Sequence, residues 1–127
     1  MKRTTFFTIV ALIACMFGIG MIAMPVMVAE TFGLTSLSTV TDFLLRCMGS
    51  MLFSMGVVNF LVRKQGDSVA LKAVLIMNIV YHLLSAGVDF SANMMEVLPI
   101  VKSLPAYAVH LFVGIGSYVY LRVIKTD

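Results

Sequence analysis

This chain has little charge. Only 12% of its 127 residues are Asp, Glu, Lys or Arg, about half the share of roughly 25% found in soluble domains. A water-soluble fold of this size needs far more polar surface, so the bilayer is the expected solvent. The net charge is a modest +3, and the basic residues form separate short clusters at the ends of apolar runs. No nucleic-acid-binding surface is expected from that pattern. Cysteine is scarce as well: Cys15 and Cys47 fall in different apolar runs without a CxxC pair. That argues against a disulfide scaffold or a thioredoxin-like centre and leaves both as small apolar side chains. No HxxxH ligand pair is present, and no nucleophile elbow. Ser85, His82 and Asp89 supply the residue types of a hydrolase triad, but all three share one helical stripe. There is no internal repeat and no low-complexity tract, and the length is that of one domain, 1–127.

What the chain has in abundance is apolar residues, at 61% against a soluble norm of about 45–50%. They fall in four runs long enough to cross a bilayer, at about 6–24, 40–62, 69–92 and 103–124. The first follows Lys2 and Arg3 and stops at Pro25, and Val26 to Phe32 reads as a short helical turn near the interface. Leu12 to Cys15 matches a lipobox, yet the chain stays apolar beyond Cys15 where a lipoprotein continues with a polar tether. A retained first span is expected. Residues 35–41 form a Ser/Thr-rich loop, with Asp42 as a first-turn acid. Arg63 to Asp67 form a tight polar loop, and 93–99 with Pro105 bracket the third connection. The eleven methionines spread through every span and read as gap-filling side chains. Together these features predict an all-α, integral membrane, antiparallel four-helix bundle.

Orientation follows from lysine and arginine placement. With both termini in the cytoplasm, Lys2, Arg3, Arg63, Lys64, Lys72, Arg122 and Lys125 lie inside, seven of the nine basic residues. Only Arg46 and Lys102 lie outside.

Polar residues within the spans fall into stripes. Asn78, His82, Ser85 and Asp89 follow an i, i+4, i+7, i+11 spacing, which keeps them on one helix face. Ser103, Tyr107, His110, Gly114 and Ser117 form a second stripe. Asp42, Arg46, Gly49, Phe53, Gly56 and Asn59 or Phe60 form a third, in which Gly49 and Gly56 permit close helix approach. Antiparallel neighbours joined by short loops bring mirrored positions to similar depth. A tip near Glu96 therefore sets Asp89 level with Ser103, Ser85 with Tyr107, His82 with His110, and Asn78 with Gly114. Folding about Gln65 and Gly66 adds Asp42 and Arg46. The expected result is a polar cluster of Asp42, Arg46, Asn78, His82, Ser85, Asp89, Tyr107 and His110 in the outer half of the bundle.

That cluster has two readings. In one it is structural glue, with Arg46 paired to Asp42 or Asp89 and the histidines bonding between helices. In the other it is an outward-facing ligand pocket, since ionisable groups within a membrane mark function by default. Two level histidines beside Gly49 and Gly114 also raise a b-type haem with axial ligands His82 and His110, and Arg46 for a propionate. A divalent metal held by His82, Asp89 and His110 is a further candidate. Proton-coupled transport through Asp89, His82 and Asn78 is another, opposed by the apolar inner half of the third span.

Several short strings carry a resemblance. Gly18-Ile19-Gly20, Met24-Pro25 and Phe32-Gly33-Leu34, then Arg46 with Gly49, Gly56 and Asn59, then Asn78 with His82, resemble small bacterial four-span membrane proteins of DoxX-like type. The resemblance covers most of the chain and implies a helical bundle in the inner membrane, without an activity to carry over. The four-span vitamin K reductases are similar in outline, but their redox CxxC is missing here. The small multidrug exporters have a similar length, but their first-span glutamate has no counterpart, because Glu30 lies beyond Pro25. The leading expectation is an inner-membrane accessory or assembly subunit, or a bundle binding an apolar ligand. Its partners would be the lipid bilayer and a larger membrane complex or a second copy, with no cofactor and no enzymatic site of its own. The alternatives are a haem- or metal-binding redox protein using His82 and His110, and a small oligomeric transporter.

Overall fold

A computed structural model describes residues 1–34 and 37–125; positions 35 and 36 of the expected Ser/Thr-rich loop fall outside the described residues. The described chain is helical: α1 (Arg3–Ala23), α2 (Pro25–Thr31), α3 (Thr39–Val62), α4 (Val69–Met94) and α5 (Ile100–Val123). Four of these, α1, α3, α4 and α5, are long and apolar enough to cross a membrane.

The boundaries follow from local chemistry. A proline disfavours helical backbone in the residue before it, and Met24 leaves the helix at φ −138°, ψ 54°. Pro25 then opens α2, where its fixed φ suits a first helical position and its missing N–H is no loss. α2 ends in a Schellman turn: the Gly33 N–H donates to the Glu30 carbonyl at 2.9 Å and the Leu34 N–H to Ala29 at 3.0 Å. Gly33 takes the positive φ of 90° this requires. Ser38 and Ser68 cap α3 and α4, their hydroxyls accepting from the Thr41 and Leu71 N–H groups at 3.1 and 3.2 Å. α4 closes in a second Schellman turn, with Glu96 N–H to Asn93 at 3.1 Å and Val97 N–H to Ala92 at 2.9 Å. Here the left-handed position, φ 57°, is held by Glu96 and not by a glycine. α5 begins three residues ahead of the sequence expectation, so Pro105 sits inside it. The Val101 carbonyl thereby loses its i+4 N–H donor.

The chain divides into two compact units, Met1–Arg63 and Lys64–Asp127. In the first, α1 and α3 pack antiparallel and touch backbone to backbone. A Cβ added at Gly18 would lie 2.6 Å from the Phe53 nitrogen and 2.8 Å from the Gly49 oxygen. One at Gly49 would lie 2.8 Å from the Gly18 oxygen, and one at Gly56 only 2.5 Å from Cys15 Sγ and 2.9 Å from the Cys15 nitrogen. Such a seam is what lipid demands, because tails as apolar as leucine leave close van der Waals contact to hold helices together.

The second unit pairs α4 with α5. Contacts between Asn93 and Ser103 near the connection, His82 and His110 further along, and Asp67 and Lys125 at the opposite end run the two helices antiparallel. Its seam is looser, since a Cβ at Gly114 would sit 3.8 Å from His82 Cβ, an ordinary contact. Among the described residues polar side chains share the buried positions with apolar ones such as Phe6, Phe7, Leu71 and Leu75, and many large apolar side chains lie outside. Asn59, Asn78, His82, Ser103 and Ser117 are buried, while Leu61, Leu83, Val101 and Leu111 are exposed.

Candidate functional site

In the second unit a linear chain of ionisable groups crosses between α4 and α5. Asp89 Oδ2 lies 3.2 Å from His110 Nε2. On the other side of that ring, His110 Nδ1 lies 2.9 Å from His82 Nδ1. The two rings are tilted by 52° with centroids 5.1 Å apart. Tyr81 backs the far ring edge-on, at 5.1 Å and 88°. His82 is buried, whereas the side chains of His110 and Asp89 are 14% and 22% exposed. The chain therefore runs from a partly accessible carboxylate to an enclosed imidazole.

A second polar group closes the α4–α5 connection. The Asn93 amide donates to the Leu98 carbonyl and to Ser103 Oγ, each at 2.8 Å, and its oxygen accepts from the Tyr107 hydroxyl at 2.7 Å. Ser103 thus meets Asn93 one turn nearer the connection than its mirrored partner Asp89, and Tyr107 meets it two turns nearer than Ser85. Ser85 lies beside Tyr81, one turn away on its own helix. Asn93 is the residue that the stripes overlook, because an asparagine at a helix end reads as a turn former. Its signal is the Ser103 and Tyr107 pair four residues apart on the next helix, which offers a single amide two partners on one face.

Of the remaining expected site residues, Asn78 is fully buried in α4. Asp42 and Arg46 belong to the first unit. Arg46 Nε donates to Asp42 Oδ2 at 2.9 Å, and its Nη1 donates to the Ile22 carbonyl at 2.5 Å. That carbonyl is one of those left without an intrahelical donor when Pro25 stops α1. A cation at a helix C-terminus is also favoured by the dipole. Arg46 is therefore a cap for a neighbouring helix. Gly49 and Gly56 lie in the α1–α3 seam, while Gly114 faces His82 with space to spare and the Ser117 hydroxyl is buried without a hydrogen-bond partner among the described residues.

The geometry does not fit the cofactors that the two histidines bring to mind. Imidazole–metal bonds of about 2.0–2.1 Å on each side would hold opposed ligand nitrogens about 4 Å apart with a porphyrin between them. The facing nitrogens are 2.9 Å apart and bonded to each other, and His110 Nε2 is engaged by Asp89. A metal fits no better, since Asp89 and His82 lie on opposite sides of the His110 ring and do not converge. Among the described residues no group of three His, Cys, Asp or Glu side chains is placed to hold a metal ion. What the arrangement can do is exchange protons along a hydrogen-bonded line. Set against family models, curated proteins and solved structures, the chain finds no match.

Proposed function

We propose that this protein is an accessory or assembly subunit of the bacterial inner membrane, an antiparallel four-helix bundle with both termini in the cytoplasm. The even number of apolar helices and the basic residues gathered on one side of them support the orientation. The resemblance to DoxX-like four-span proteins agrees with it. The observation that carries the functional reading is how far the polar groups on these helices, Ser117 apart, are taken up by one another. Arg46 is occupied by Asp42 and a helix end, Asn93 by three partners, and His110 by a neighbour at each nitrogen. Groups so engaged position helices and leave long apolar faces for a larger membrane protein to cover. The test is to tag the protein at its native level, extract it in a mild detergent and resolve it by native electrophoresis. Migration with a larger membrane assembly, retained in His82→Ala, is the expected result. A chain that migrates alone, with every membrane complex intact in its deletion strain, would overturn the proposal.

A further inference from the structure

The line Asp89–His110–His82 has a directionality that packing alone does not require. Two facing Nδ1 atoms at 2.9 Å can share only one proton, so one ring donates and the other accepts. If Asp89 is a carboxylate it accepts from His110 Nε2–H. A neutral His110 then has a bare Nδ1, which must accept from His82 Nδ1–H, and His82 Nε2 is left with its lone pair. The chain thus fixes opposite tautomers on its two histidines. It also spans a considerable depth: His82 lies at the middle of the 26-residue α4. Asp89, seven residues on, is about 10 Å further along the helix axis. Beyond His82 in the other direction come Asn78 and then Leu75, Val74 and Leu71, all buried. The line therefore stops at mid-helix.

We propose that Asp89, His110 and His82 form a proton relay that exchanges one proton between the middle of α4 and its Asp89 end. The step balances as follows. A proton binds His82 Nε2, the His82 Nδ1 proton moves to His110 Nδ1, and the His110 Nε2 proton moves to Asp89. One proton has entered at one end and one has arrived at the other, Asp89 is neutral, and both histidines have changed tautomer. Run in reverse, the proton on Asp89 leaves from His82 Nε2. The ligand of this site is the proton itself, and the exchanging species is a proton donor or acceptor that reaches mid-helix. The ionisable groups facing the line are Tyr81 on α4, set edge-on to His82, and Tyr107 on α5, which is tied to Asn93. This inference does not rest on the accessory reading, and either can fail alone.

The test uses the full chain, labelled with 15N-histidine and 13C-aspartate, in lipid bilayers and read by solid-state NMR. At about pH 8 the expected result is one Nδ1–H and one Nε2–H imidazole, with a scalar coupling across the Nδ1···Nδ1 hydrogen bond. Acidification that protonates the Asp89 carboxyl should invert both tautomers together with it. In Asp89→Asn the paired inversion should disappear. A merely structural pair would keep fixed tautomers while Asp89 titrates by itself. Two Nε2–H rings without coupling would overturn the relay, as would a paired inversion that persists in Asp89→Asn.

Discussion

The two units meet the same physical demand by opposite means. Lipid offers two helices no hydrophobic reason to associate, so their seam must supply the attraction. The α1–α3 pair supplies it with backbone contact, its glycines set where no Cβ would fit. The α4–α5 pair supplies it with hydrogen bonds between side chains, through Asn93, His82 and His110, over a seam in which Gly114 is not crowded. A packed seam is intolerant of added volume, whereas a bonded seam is intolerant of lost polarity.

The sharpest way to break this contrast is to make one substitution in both seams. Gly56→Ala drives a methyl into Cys15 and the Ala11 carbonyl, and should destabilise the first unit by about 3 kcal/mol, the upper part of the usual overpacking range. Gly114→Ala meets only ordinary contact and should instead stabilise α5 by roughly 0.5–1 kcal/mol through reduced backbone entropy. Thermal unfolding in detergent, followed by circular dichroism, measures both. Equal losses at the two sites would erase the distinction. Asn93→Ala is the complementary test. Removing three bonds at about 0.6 kcal/mol each should cost about 2 kcal/mol. Arg46→Met should cost about 1–2 kcal/mol for the lost bonds to a charged group. It should also raise amide hydrogen exchange in the last turn of α1 while leaving α4 and α5 unchanged. A second gain is expected at the connection: Glu96→Gly relieves a left-handed backbone position and should stabilise the α4–α5 turn by about 1 kcal/mol.

The parts of this molecule legible in the sequence are those fixed by solvent and period. Long apolar runs imply helices that can cross a membrane because the bilayer leaves backbone groups no other economical arrangement. Gly49 and Gly56 stand out because they recur at a helical interval. Depth matching sets His82 level with His110 but does not anticipate that the opposite edge of the His110 ring meets Asp89, because a side chain can bond a turn away from its own Cα. Arg46 shows a different blindness. Its partner, the Ile22 carbonyl, is a backbone atom, and backbone acceptors leave no trace in a pattern of side chains. The only hint was Pro25, which frees carbonyls in the turn before it.

The glycine seam has a consequence for how the protein is made. Gly18 must find α3, and the residues it touches around Phe53 lie 35 positions later in the chain. At a synthesis rate of about 5–20 residues per second, α1 waits on the order of 2–7 s for its mate. Throughout that interval its narrow glycine face is open to any other small-faced helix in the membrane. Asn93 and Ser103, ten positions apart, are made within about 0.5–2 s of each other. The second unit can begin to close from its connection as it emerges, whereas the first holds its glycine face open until α3 arrives and is the one for which an insertion chaperone would matter.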